Sequence, residues 1–140
     1  MYPDDIPADA VPAGGGPDNE VDALLAVTEH PLSATVRELR TELLAVPGVI
    51  EGIKWKAPNY ALRDDFATMG LRRPEVVQLV LHTGAKAKPD HPEIVVGTLP
   101  AFARRADRNR VVLSFTDAAL NEKDRSALRR LITAWVAQLL

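Results

Sequence analysis

The sequence predicts an α+β fold, a two-layer α/β sandwich in which an antiparallel sheet carries helices on one face. Three observations lead there. Apolar residues recur at helical spacing near both ends of the chain. The middle switches to short β-rich runs separated by turn residues. Those runs follow one another too closely for the long crossovers that parallel pairing needs. Helices, then a meander, then a helix predict about 4–6 strands with N-terminal helices and a C-terminal helix on one side.

Residues 1–17 hold four prolines and a run of three glycines. A segment of that composition cannot repay its ordering entropy and is expected to be a disordered tail. Residues 18–140 then form one domain, a length that buries a core without staples. Asp18 or Asn19 caps a first helix running through Thr28. His30-Pro31 breaks it, because proline lacks an N–H and disfavours the helical region for the residue before it. A second helix starts at Leu32 or Ser33. Its Val36, Leu39, Leu43 and Val46 make one stripe, and Pro47-Gly48 ends it.

Strands are expected at Ile50–Ala57, Ala67–Arg72, Val76–His82 and Arg110–Phe115, with turns at Pro58-Asn59 and Arg73-Pro74. Tyr60–Arg63 adds a short strand, and Ile94–Val96 is an extra strand within the connection 83–100. The last helix starts near Asn121 and places Leu128, Leu131, Ile132, Trp135 and Leu139 on one face.

Composition narrows the function classes. The chain is 46% hydrophobic and 26% charged, with a net charge of −2 and no cysteine. Disulfides, thiolate metal sites and a cysteine nucleophile are excluded. The weak net charge gives no global attraction for nucleic acid or an anionic membrane, so neither is expected as a partner. No apolar run is long enough to span a bilayer, and the N-terminus has no secretory pattern. The expected location is cytoplasmic, as a monomer or homodimer.

Alternation along the strands supplies the main functional expectation. Ile53, Trp55 and Ala57 would face the helices, as would Met69, Leu71, Val77, Leu79, Leu81, Val111, Leu113 and Phe115. The uncovered face would display Lys54, Lys56, Thr68, Arg72, Gln78, His82, Arg110 and Ser114, with Lys86 and Lys88 at its border. Such a surface suits a carboxylate, a phosphate or an acidic protein surface. The alternative is the ordinary wet side of a one-sided sheet. Trp55 is expected in the core; Tyr60, beside the turn, is either core or a ligand contact. Glu38 and Glu42, interleaved with Arg37 and Arg40, suggest a solvated helix face. His30, His82 and His91 show no metal-ligand spacing. Asp64-Asp65 reads first as a turn, and the serines lack a nucleophile context.

The blocks HPLSATVRELRTELL, EGIKWKAPNY, FATMGLR, VLHTGAK, RVVLSF and ALRRLITAWV, in that order, resemble the YdhG-like domain-of-unknown-function family over about residues 20–138. Matching positions include Glu51, Lys54, Trp55, Pro58, Tyr60, Phe66, Thr68, Arg72, His82, Gly84, Lys86, Arg110 and Trp135. Lys56 and Asn109 depart from the pattern, which there favours a small or amide residue and an aspartate. The resemblance implies a frataxin-like sandwich and supplies no catalytic residues. It also raises intracellular iron delivery, for which Asp18, Glu20, Asp22 and Glu29 would be the oxygen ligands.

The leading expectation is therefore a non-enzymatic module without a cofactor. It would hold an anionic small molecule or acidic partner through Lys54, Trp55, Lys56, Tyr60, Arg72, His82 and Lys86. The alternatives are an iron carrier and an enzyme pairing Asp65 with His82 as acid and base.

Overall fold

The computed structural model describes residues 20–84, 91–117 and 119–139, so the expectations for residues 1–17, Asp18, Lys86 and Lys88 lie outside the described residues. Helices α1 (Glu20–Thr28) and α2 (Ser33–Leu44) come first. Six strands follow: β1 (Ile50–Lys54), β2 (Ala57–Ala61), β3 (Asp65–Gly70), β4 (Val77–Leu81), β5 (Ala103–Asp107) and β6 (Arg110–Phe115). Helix α3 (Glu122–Val136) comes last. All strand pairs are antiparallel, in the order β1-β2-β3-β4-β6-β5. This is the predicted α+β sandwich. No helix among the described residues is long and apolar enough to cross a membrane.

The core lies between the sheet and helices α2 and α3. Val36, Leu39 and Leu43 of α2 and Leu128, Ile132 and Trp135 of α3 meet Ala67, Met69, Leu79, Leu81, Val111 and Leu113. Period 3.6 on the helices and period 2 on the strands thus converge on one apolar layer. Asn121 starts α3 by accepting a hydrogen bond from the Asp124 N–H at 2.7 Å. At the α1–α2 corner, His30 accepts from the Leu32 N–H through Nδ1 and donates from Nε2 to the Arg73 carbonyl. Pro31 breaks the helix, and His30 ties the break to the β3–β4 connection.

The face of α2 expected to be solvated is instead an ion-pair seam. Glu38 takes Arg125 at 2.6 Å and Glu42 takes Arg129 at 2.9 Å. Both pairs advance four residues on each helix, so α2 and α3 run in the same direction and one helical turn spaces the bridges. Arg129 holds the Glu42 carboxyl below its usual range, through its hydrogen bonds first.

The first hairpin also differs from expectation. Ile50–Ala57 is not one strand: it turns at Trp55-Lys56, and Pro58-Asn59 lies inside β2. Trp55 and Lys56 both adopt left-handed φ, 53° and 60°, the geometry of a two-residue hairpin turn. The β2–β3 pairing begins at Asn59, so Pro58 sits just outside that ladder, where its missing N–H is harmless. Trp55 is consequently 64% exposed rather than core. Ile94–Val96 forms no strand, although Ile94 is fully buried, and β5 takes the outer sheet position.

Candidate functional site

The uncovered face carries a continuous polar network whose placement depends on one irregularity. Asn59 pairs with Thr68 and Tyr60 with Ala67, but Ala61 pairs with Asp65, so β3 holds an extra residue. Phe66 and Ala67 are both in the core, and Asp65 turns to the open side with Asn59 and Thr68. Without that bulge, strict alternation would carry Asp65 to the covered face.

His82 anchors one end of the network. Its N–H donates to the Phe66 carbonyl at 2.9 Å, and its carbonyl accepts from Trp135 Nε1 at 3.0 Å. Nδ1 accepts from the Gly84 N–H at 3.0 Å, so the uncharged ring carries its hydrogen on Nε2. Nε2 donates to Thr68 Oγ1 at 3.0 Å, and that hydroxyl donates to Asn59 Oδ1 at 2.7 Å. Asn59 Nδ2 then donates to Asp65 Oδ1 at 2.9 Å, and Lys54 Nζ completes the chain on Asp65 Oδ2 at 2.6 Å. Each donor meets an acceptor, so the side chains are held in one arrangement.

Electrostatics follow from this order. Burial lowers the His82 pKa, with the Arg110 and Lys54 charges adding to the effect and Asp65 opposing it. For Asp65, burial alone would raise the pKa. The hydrogen bonds from Lys54 and Asn59 outweigh it and hold the carboxyl below its usual range. The network therefore pairs an ionised carboxylate with a neutral imidazole.

The predicted residues divide into three groups. Lys54 and His82 are brought together, though His82 is only 9% exposed and Lys54 is already paired with Asp65. Lys56, Trp55 and Arg72 are exposed beside the face, and Lys86 lies outside the described residues. Tyr60 is corrected: it is fully buried on the helix-covered side, where its hydroxyl donates to Glu51 Oε2 at 2.7 Å. Burial first, then the Glu51 carboxylate, pushes its phenol well above the usual range. Sequence reasoning missed Asn59, assigned to a turn, and took Asp65 first as a turn, naming it only as the acid/base alternative with His82. The usable signal was that Asn59 continues the alternation Ala57, Asn59, Ala61 on one side of β2.

Among the described residues, the proposed oxygen ligands Glu20, Asp22 and Glu29 do not form a cluster. Asp22 Oδ1 takes Arg40 at 2.6 Å, and Glu29 is an exposed residue in left-handed conformation. Among the described residues no three His, Asp or Glu side chains converge as metal ligands would. Asp65 and His82 do share a face, but Asn59 and Thr68 stand between them. Both His82 ring nitrogens are engaged, leaving no open lone pair for a substrate proton. No protein-family model, curated protein or solved structure matches the chain.

Proposed function

We propose that the protein is a non-enzymatic binding module whose open sheet face holds an acidic partner surface. The observation that carries this reading is the one-sided covering of the sheet, which leaves an ordered polar network bordered by exposed Arg72, Arg104 and Arg110. Arg72 follows β3 and Arg110 begins β6, two strands away, which separates them by about 10 Å across the sheet. From Ser114, level with Gly70, back to Arg110 is about 13 Å along the strand. One small anion cannot span cations so placed, whereas a broad acidic surface can. Asp107 stands 3.8 Å from Arg110, but both side chains are more than half exposed, so the pair yields readily to a competing carboxylate. The YdhG-like resemblance, which brings no catalytic residues, accords with this reading.

The test is an amide NMR titration with poly-L-glutamate. Shifts are expected on β3, β4 and β6 at open-face positions, weakening as salt rises. Arg72→Glu/Arg110→Glu should abolish them, while Lys123→Glu/Arg130→Glu on α3, with the same change in net charge, should not. Equal loss in both variants, or shifts on the helical side, would overturn the proposal.

A further inference from the structure

One end of the sheet holds a separate cavity of about 310 Å³. Its walls are the β2–β3 turn, the segment beyond β4 and the C-terminal end of α3. His91 lines it and is only 3% exposed. Nδ1 of His91 lies 2.7 Å from the Pro92 carbonyl, and a carbonyl can only accept, so Nδ1 carries the hydrogen. The lone pair of the uncharged ring is then on Nε2, which is buried and has no hydrogen-bond partner among the described residues. A buried acceptor left without a donor is costly, so a ligand that supplies one is favoured there. The backbone around it is held, since the His91 carbonyl accepts from Arg108 and Asn109 side chains.

The rest of the lining favours positive charge. Asp64 and Asp65 bring carboxylates, Asp65 already paired with Lys54, and Arg63, which is exposed, is the one cation among the described lining residues. Val136 and Leu139 lie at the C-terminal, negative end of the α3 dipole. Together with Leu62 they also form an apolar wall. Three metal ligands do not converge among the described residues, so an organic cation suits the lining better than a metal ion. We infer that this cavity binds a small aliphatic ammonium ion. Its –NH₃⁺ donates to His91 Nε2 and to Asp65, and its chain rests on Leu62, Val136 and Leu139. This site shares Asp65 with the open-face network and takes a ligand of opposite charge.

Hexylammonium, with 1-hexanol and hexanoate as comparators of the same chain length, tests the inference. Binding is read from the ¹⁵N shifts of the histidine rings and from thermal unfolding. Hexylammonium should perturb His91 saturably, 1-hexanol should bind about tenfold more weakly for want of a charge-assisted hydrogen bond, and hexanoate should not bind. His91→Phe and Leu139→Trp should each weaken hexylammonium by about tenfold or more while preserving poly-L-glutamate binding. Leu139→Trp keeps the histidine and decides the matter even where His91→Phe fails to fold. Tighter binding of hexanoate, no saturable response to hexylammonium, or unchanged affinity in the folded variants would overturn the inference.

Discussion

His82 has its backbone N–H on Phe66, its carbonyl under Trp135, Nδ1 on the Gly84 N–H and Nε2 on Thr68. That arrangement suits a neutral ring, and burial lowers its pKa in the folded state. The unfolded chain therefore binds a proton more readily than the folded one. The associated stability is complete above the unfolded value of about 6.5 and is lost as pH falls toward the lower folded value. Urea denaturation from pH 7 to pH 5 should show wild-type stability declining, with a flatter slope for His82→Gln. Parallel slopes would disprove the assignment. Asp65 works in the same direction at lower pH, since its folded pKa is depressed and its contribution disappears as the carboxylate protonates. Thr68 and His82 were legible on the uncovered face because they obey alternation. Asp65 was not, because a one-residue bulge re-aims it and no pairwise pattern marks where a bulge falls.

At the scale of elements, the β1–β2 hairpin runs against local preference. Two consecutive residues with side chains occupy the left-handed region, at about 1–2 kcal/mol each for ordinary residues, and one is an exposed tryptophan. Trp55→Asn/Lys56→Gly supplies the pair that this turn type favours. The substitution should raise stability by about 1–2 kcal/mol and the melting temperature by several degrees. An unchanged melting temperature would mean that Trp55 contributes packing equal to the strain. The sequence placed this turn wrongly because Pro58-Asn59 carries the stronger turn chemistry. Helices α2 and α3 were legible from their stripes, whereas β5 was not: Ala103–Asp107 reads ARRAD and has no apolar alternation. Its arginines instead suit an outer strand that discourages further pairing. Asn109, where the resemblance favours aspartate, has a role of its own. It accepts from the Ile94 N–H and donates to the His91 carbonyl, and a carboxylate could not donate.

Across the whole molecule, α1 is joined to the rest through buried Val21, through Leu25 on the core and through Arg40. That guanidinium grips Glu51 with two hydrogen bonds and Asp22 with a third, while Tyr60 adds its hydroxyl to Glu51. The Glu51 side chain has no solvent exposure, and its hydrogen bond is the foremost cause of the raised Arg40 pKa. Arg40→Met should therefore cost about 3–5 kcal/mol in urea denaturation, because it strands a buried carboxylate. A loss below about 1 kcal/mol, the worth of a surface pair, would refute the tether. The overall layering needed only helix and strand periods, so it was readable. The tether joins residues from four elements and leaves no periodic trace.

Its position has a further consequence. β1 is an outermost strand, α1 packs against it, and Ile50 is already 62% exposed there. Once Arg40 lets α1 swing away, the backbone edge of β1 becomes a template on which a second copy can add a strand. Light scattering of Arg40→Met at rising concentration should then report growing assemblies, while the wild type scatters in simple proportion to its concentration. The guanidinium that looks like an internal brace would also be what keeps one sheet from lengthening into many.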